Sequence, residues 1–505
     1  MNVFALKSWK SLIPDLNTVL DGKPFTREQT AFLSFLLALQ LACFKLFYPF
    51  PDFFGDSYNY IDAASHNLNV NIWPIGYSKF LLAFHWLTHS AFLLILFQYF
   101  CLEAAYFYLY QTIIRFIPTG KRTRAIILLF FFCSPLNLYI SNYVSTEALF
   151  LALSLVWLTE LLRITYKPSY HHILILSVAF AIAFTFRYNA MYYPVIATVA
   201  FLISKQHFAQ KVIGIILGPL LILPFVIFSS HAVKQLSGTA QFPPIYGGWQ
   251  WGNNALYFRE HIQEDTNAIP TPQMAELDQM ARNYFRTVSP KYRELAPYVG
   301  NFFIQQRKAP LRQYIVKHFR STESIEAWAK AAPLYKDYGI WLIKRHPFSF
   351  ARYYLLVNTK NYLLPPLEKL ACYNLDQPTM DSLATFWFDF PDNEITSILP
   401  RTFQGTLLIL YPFLFLFLNF YFCRSLFFFS KQKGFRSSPT PLANSIALIT
   451  LLLLTNFSFS IFANVIAFRY QLFPMVVLLA FALILDNYTE QFLEEKSPTS
   501  ISATI

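Results

Sequence analysis

The sequence predicts an all-α polytopic membrane protein with about ten transmembrane helices and a mostly helical extracytoplasmic domain. Three observations predict it. Of 505 residues, 55% are hydrophobic and only 13% charged, against roughly 25% charged in soluble domains. The apolar residues, including 55 Phe, gather in runs long enough to cross a bilayer. The bases then sort to one side of those runs. This composition excludes a water-soluble single core, and also a disordered chain, which needs low hydrophobicity and high charge. Five scattered Cys exclude a small disulfide scaffold.

Candidate spans lie near residues 31–50, 87–114, 125–143, 146–162, 171–186, 189–204, 212–230, 404–428, 442–466 and 470–486. The stretch before Ala31 carries Lys7, Lys10, Lys23 and Arg27, with no signal-peptide core or cleavage site, and reads as a cytoplasmic amphipathic lead-in. With that end inside, cytoplasmic segments hold 17 of the 40 bases: the four above plus Arg115, Lys121, Arg122, Arg124, Arg163, Lys167, Lys205, Lys211, Arg424, Lys431, Lys433, Arg436 and Lys496. The short outer segments hold three, Lys79, Arg187 and Arg469, while Lys45 lies within the first span. This asymmetry places both termini inside. The net charge of +12 is therefore mainly an orientation signal and not a nucleic-acid footprint.

The chain divides into a cytoplasmic N-terminal segment (1–30), a bundle of seven spans (31–230), an outer cap (231–402), three further spans (403–486) and a cytoplasmic tail (487–505). The first outer loop, 51–86, reads as two short interfacial helices, one through "DSYNYIDAA" and one through "GYSKFLLAF". The cap holds 19 Lys/Arg against 15 Asp/Glu, close to balance. Within it, Pro272 after Thr271 predicts a helix start. A second helix runs through "LRQYIVKHFRS", and "WLIKRHPFSFARYYLLVNTKNYLL" reads as an aromatic, basic interfacial helix. The segments around Pro243–Pro244, "GGWQWGNN" and Pro365–Pro366 read as irregular loops.

Outside the cap, the outer carboxylates are Asp52, Asp56, Asp62 and Glu147. An acid beside a bilayer is costly and so a functional candidate. Asp52 follows Pro51 and reads as a helix cap or solvated loop charge, and Asp62 as solvated or ion-paired. Asp56 shares a helical face with Tyr60 and is the first catalytic candidate. Glu147, in "NYVSTEALF", opens the fourth span, where Ser145 or Thr146 can cap and the acid complements the helix dipole. It is the second catalytic candidate.

Among the cations, Arg187 and Arg469 sit in matching hairpins, "FRYNAMYYP" and "FRYQLFP". One such Arg alone would read as a headgroup anchor. A matched pair suits bidentate phosphate binding, with Tyr470 beside Arg469. His346, beside Arg352 in the basic aromatic stretch, is a candidate substrate contact or headgroup anchor. Glu103 within the second span needs a bundle partner such as Lys45. His85 and His89, one turn apart, lack a third metal ligand. There is no P-loop, GxGxxG, HExxH, CxxC or GxSxG in its required context.

Together, "GDSYNYIDAA", "WPIGY", "STEALF" and "RYQLFP" resemble the GT-C glycosyltransferases, integral membrane enzymes that use polyprenyl- or dolichyl-phosphate sugars and include protein O-mannosyltransferases and aminoarabinose transferases. The resemblance covers the first seven spans, the first outer loop and the final two spans. It implies a GT-C-like fold, Asp56 as catalytic base, Glu147 as an acid assisting a metal or acceptor, and Arg469 near the donor phosphate. Tyr60 and Tyr77 join His346 as substrate contacts. Ser57 stands where the family often has a second acid, which weakens a two-carboxylate metal site there, so a divalent cation (Mg or Mn) stays open as a cofactor. The implied reaction moves a sugar, with inversion, from a polyprenyl-phosphate to a glycan, lipid or protein acceptor. The implied partners are those substrates and membrane lipids, with no nucleic acid. The compact chain without targeting signals points to a bacterial inner membrane. A lipid-linked saccharide flippase and a polysaccharide polymerase or ligase are the competing readings.

Overall fold

The computed structural model describes residues 17–320 and 324–495. Most of the N-terminal lead-in, with Lys7 and Lys10, and the tail from Lys496 onward lie outside the described residues. All regular structure among these residues is helical, with two isolated β-bridges. Among the described residues, eight helices are long and apolar enough to cross a membrane, and two shorter apolar helices, Tyr170–Phe186 and Tyr188–Ile203, stand beside them. The protein is a multi-pass helical membrane protein.

Each expected span has a helix, but their roles in the bundle differ. The first, Arg27–Phe47, starts earlier than its apolar run because Thr26 and Gln29 form a reciprocal capping box. It lies at the periphery, exposing Phe35, Leu39 and Leu46. Ala91–Phe116, Glu147–Tyr166 and the helix from Leu472 are lined with buried side chains and form the centre. The third span is broken into Lys121–Cys133 and Pro135–Asn142. Pro135 has no N–H to give the carbonyl four residues back. Asn137 Nδ2 donates to that orphaned carbonyl, Phe131 O, at 2.7 Å. The same amide reaches Glu103 Oε1 at 3.0 Å. The partner of Glu103 is thus Asn137 and not Lys45, which donates to Asn142 Oδ1 and Phe50 O.

Helix Phe208–Ser237 has 30 residues, roughly 45 Å at the α-helical rise. Its far end leaves the bundle core, and Ala232 and Val233 join a second core. That core is built on helices Tyr246–Arg259 and Ile325–Arg345, with Pro272–Thr287 and Pro310–Phe319 around them. Thr271 caps the third of these helices, accepting from Met274 N at 3.2 Å ahead of Pro272. The expectation of an irregular loop at "GGWQWGNN" is corrected, since it forms most of helix Tyr246–Arg259. Its glycines serve packing. A Cβ on Gly248 would meet Ala332 O at 2.1 Å, and one on Gly339 of the facing helix would meet Trp251 O at 2.3 Å. Gly339→Ala is therefore expected to cost about 1–3 kcal/mol through overpacking against backbone, read as a lower thermal midpoint of the purified protein.

The single interfacial helix expected from Trp341 onward is also corrected. Pro347 ends helix Ile325–Arg345 at His346, and helix Leu356–Leu363 follows a short irregular helical stretch. From Tyr362 the chain returns to the bundle core, where Leu370, Tyr373, Trp387 and Ile395 are buried. The long segment between the seventh and eighth expected spans thus has two parts, a helical domain and a strap that returns to the bundle.

Candidate functional site

Asp56 and Glu147 each occupy the first turn of a helix, Gly55–Ser65 and Glu147–Tyr166. Helix N-termini favour negative charge. The two Phe-Arg-Tyr tripeptides behave alike, each running into a short 3₁₀ turn at a helix boundary, Tyr188–Tyr192 and Phe468–Tyr470. Such turns aim the Arg side chains across the bundle. Both guanidinium groups converge on one carboxylate oxygen, Glu147 Oε1, from Arg187 at 2.9 Å and from Arg469 at 3.1 Å. Arg187 also reaches Thr146 Oγ1 at 3.3 Å, so that hydroxyl serves Arg187 and does not cap the helix.

Arg469 continues the chain of charges. Its Nη1 lies 3.0 Å from Asp56 Oδ2, its Nη2 donates to Tyr470 Oη at 2.8 Å, and its Nε faces Glu368 Oε2 at 3.5 Å. Lys369 Nζ contacts both oxygens of Asp56, at 3.3 and 3.2 Å. Three acids and three cations therefore interleave, with Phe54 beneath Lys369 and Arg469 and Tyr470 beneath both arginines. Burial would raise the Asp56 carboxyl, but the adjoining Lys369 and Arg469 charges prevail and hold it at about 2. Arg469 stays charged. Burial opposes its charge, but Tyr470, Asp56 and the other acids push its proton affinity above the ordinary value.

Four members of the cluster face a cavity of about 430 Å³ between the bundle and the inserted domain, within the roughly 300–1,000 Å³ of small-molecule sites. Asp56, Glu147, Arg187, Arg469, Tyr470 and Tyr60 all line it. Two expected substrate contacts do not. Tyr77 is fully buried behind Tyr60, their rings 5.0 Å apart, and its hydroxyl donates to Gln98 at 2.8 Å. His346 is drawn off by Glu264, which also takes Arg345, within the inserted domain.

Lys369 and Glu368 are site residues that sequence reasoning passed over. They sit on the returning strap, where their charges merged into a nearly balanced cap. The available signal was an acid-base pair directly behind Pro365–Pro366. The strap is held by Phe468 N donating to Pro366 O at 2.9 Å, by Tyr143 Oη donating to Lys369 O at 3.0 Å, and by Gln404 Nε2 donating to Leu370 O at 3.2 Å.

Asp52 completes this support, and its expected role as a cap or solvated charge is corrected. It is 1% exposed, and its Oδ1 accepts from Asn374 N on the strap at 2.9 Å. Burial raises its carboxyl to about 8, although Tyr143, Asn374 and Gln404 oppose the rise. Because the folded value lies above the unfolded one, the unfolded chain releases this proton first. Stability from this group then falls as pH rises from about 4 to about 8, and levels beyond. Asp52→Asn is expected to flatten that slope, so its thermal midpoint should gain on the parent from pH 5 to pH 8. Parallel midpoint curves would contradict the assignment. Asp62 pairs with His66 at the exposed end of its helix, and His85 and His89 stack on each other while His89 meets Asp389.

The donor set at the cavity does not fit a divalent cation, because Asp56, Glu147 and Glu368 already face guanidinium or ammonium groups. No group of three or more His, Cys, Asp or Glu with metal-holding geometry occurs among the described residues. The arrangement can instead receive an anion at its cations and a proton at its carboxylates, beside an aromatic and amide wall.

No curated protein and no solved structure matches the chain. Residues 76–302, which include Glu147, Arg187 and one wall of the cavity, are similar to a family described as predicted membrane protein (DUF2142).

Proposed function

We propose that this protein is an integral membrane glycosyltransferase. It moves a sugar from a polyprenyl-phosphate donor to an acceptor hydroxyl on the outer face of the membrane, with inversion, in the manner of the GT-C enzymes that its motifs resemble. One observation carries the reading: Asp56, Glu147, Arg187 and Arg469, spread over more than 400 residues of chain, line a single cavity. The positive-inside asymmetry puts that cavity on the outer side, with both termini cytoplasmic. A bacterial inner membrane is the proposed location.

The chemistry follows from the charges. The donor's phosphodiester carries one negative charge and offers acceptor oxygens to Arg187 and Arg469. As the bond between the anomeric carbon and the phosphate oxygen breaks, charge grows on the departing lipid phosphate, where both arginines stabilise it. The acceptor hydroxyl attacks the opposite face of the anomeric carbon and gives its proton to Asp56, which acts as general base. In the resting site Asp56 is held at about 2 by Lys369 and Arg469, far too acidic for that task at neutral pH. Drawing these cations toward the phosphate raises its basicity, so donor binding precedes and enables proton abstraction.

The test uses the purified protein in lipid vesicles with a short-chain polyprenyl-phosphate hexose, following release of lipid phosphate. The parent is expected to release it in step with acceptor glycosylation. Arg187→Ala is expected to weaken donor use by about 10–100-fold, the scale of one lost charge-assisted contact. Absence of release across hexose, aminopentose and uronic acid donors would refute the reading.

A further inference from the structure

The charges that line the cavity neutralise one another. Asp56, Glu147, Arg187 and Arg469 are bonded together as two acids against two bases. The remaining wall carries no charge. It is built of aromatic rings, with Trp73 and Tyr246 at 4.7 Å, and of amides.

Several polar atoms of this neutral wall have no partner among the described residues. Gln471 is 0% exposed, and neither its Nε2 nor its Oε1 is hydrogen-bonded. Gln250 Oε1, Trp73 Nε1 and Tyr188 Oη are likewise buried and unmatched, and all four residues line the cavity. Buried polar groups without partners are costly, so this wall is built for a ligand that completes them. The set mixes donors (Trp73 N–H, the Gln471 amide N–H, Tyr188 O–H) with acceptors (Gln250 and Gln471 oxygens). A sugar hydroxyl both donates and accepts, and matches such a set. An ammonium donates only and would leave the donors of this set unmatched, and a carboxylate accepts only and would leave its acceptors unmatched. The rings offer flat apolar faces to the C–H side of a pyranose.

We infer that the sugar taken by this site is a neutral, polyhydroxylated ring, a hexose bearing neither an amino nor a carboxyl group, seated between Gln471, Gln250 and the Trp73–Tyr246 pair. The inference rests on the lipid-phosphate-sugar reading above and selects one class of sugar within it.

The experiment measures equilibrium binding to the purified full-length protein in detergent. Its probes are farnesyl phosphate alone and farnesyl phosphate bearing glucose, 4-amino-4-deoxyarabinose or glucuronic acid. Farnesyl phosphate is expected to bind, and glucose to tighten it by about tenfold, one to two hydrogen bonds' worth. The amino sugar and uronic acid are expected to add nothing. Gln471→Leu is expected to erase the gain from glucose while leaving farnesyl phosphate, whose phosphate is held by Arg187 and Arg469, within about twofold. Gln471→Glu, similar in size, is expected to transfer the gain to the amino sugar. A larger gain from either charged sugar in the parent, or a glucose gain that survives Gln471→Leu, would overturn the inference while leaving the lipid-phosphate reading standing. No binding of farnesyl phosphate to the folded protein would overturn both.

Discussion

Asp56→Asn is expected to lower sugar transfer by about 10²–10⁴-fold, the usual contribution of a positioned general base. Donor affinity should hold or improve. The asparagine keeps the size of the side chain and its place at the start of helix Gly55–Ser65, but cannot take the acceptor's proton. It also releases Lys369 and Arg469 from a carboxylate they share, leaving both more available to a phosphate. The fall should therefore appear in kcat, with KM for the donor unchanged or lower. A merely structural acid would give the opposite pattern, loss of folded protein or of donor binding. Steady-state kinetics in vesicles, with size-exclusion profiles as the folding control, separate the two, and full activity in Asp56→Asn would remove the base assignment.

Replacing Arg469 should do wider damage. Arg469→Met leaves Asp56 and Glu147 facing Lys369 and Arg187 alone, and strands Glu368. Removing one partner from a buried pair typically costs about 3–5 kcal/mol, because the charge left behind stays desolvated. The thermal midpoint should drop markedly and activity should vanish. The loss should also depend on pH. With the cation gone, burial at Asp56 is opposed by Lys369 alone, so its carboxyl rises from about 2, protonation relieves it, and the variant should be more stable at pH 5 than at pH 7. Arg469→Lys should restore part of the midpoint and little of the activity, since one ammonium cannot span the positions that Nη1, Nη2 and Nε occupy. Equal midpoints for the Met variant at both pH values would argue against this account.

The spans were legible because a bilayer demands long apolar runs, and each expected run contains a helix. Their joints were less so. The Pro135 break is visible in sequence, but its repair by Asn137 is not, because it depends on where that amide points. The glycines of "GGWQWGNN" mark a loop by local propensity, yet close packing against Gly339 and Ala332 reverses their meaning. At the site, scarcity did the sorting. Asp56, Glu147, Arg187 and Arg469 stood out because short outer segments hold few charges, and the structure brings all four to one cavity. Lys369 and Glu368 lay in a charge-rich region where nothing local distinguished them. Gln471 carries no charge at all, so only its enclosure reveals it. Tyr77 and His346 had suitable chemistry, but their nearest polar neighbours, Gln98 and Glu264, claim them.

The convergence of both Phe-Arg-Tyr turns on Glu147 also bears on how the protein is made. Glu147 and Arg187 lie in neighbouring hairpins and emerge from the ribosome within 40 residues of each other, so their pair can form early. Arg469 follows Asp56 by 413 residues and Glu147 by 322. Until its hairpin enters the bilayer, Asp56 can only be matched by Lys369, itself 313 residues later. The nascent bundle therefore holds an uncompensated acid beside its inner helices for most of synthesis. Lys369 ends that state, and insertion of helix Leu472–Gln491, which brings Arg469 with it, completes the pairing, so maturation of the bundle and completion of the site are one step. A chain stopped before that hairpin would carry the electrostatic mark of an unfinished protein.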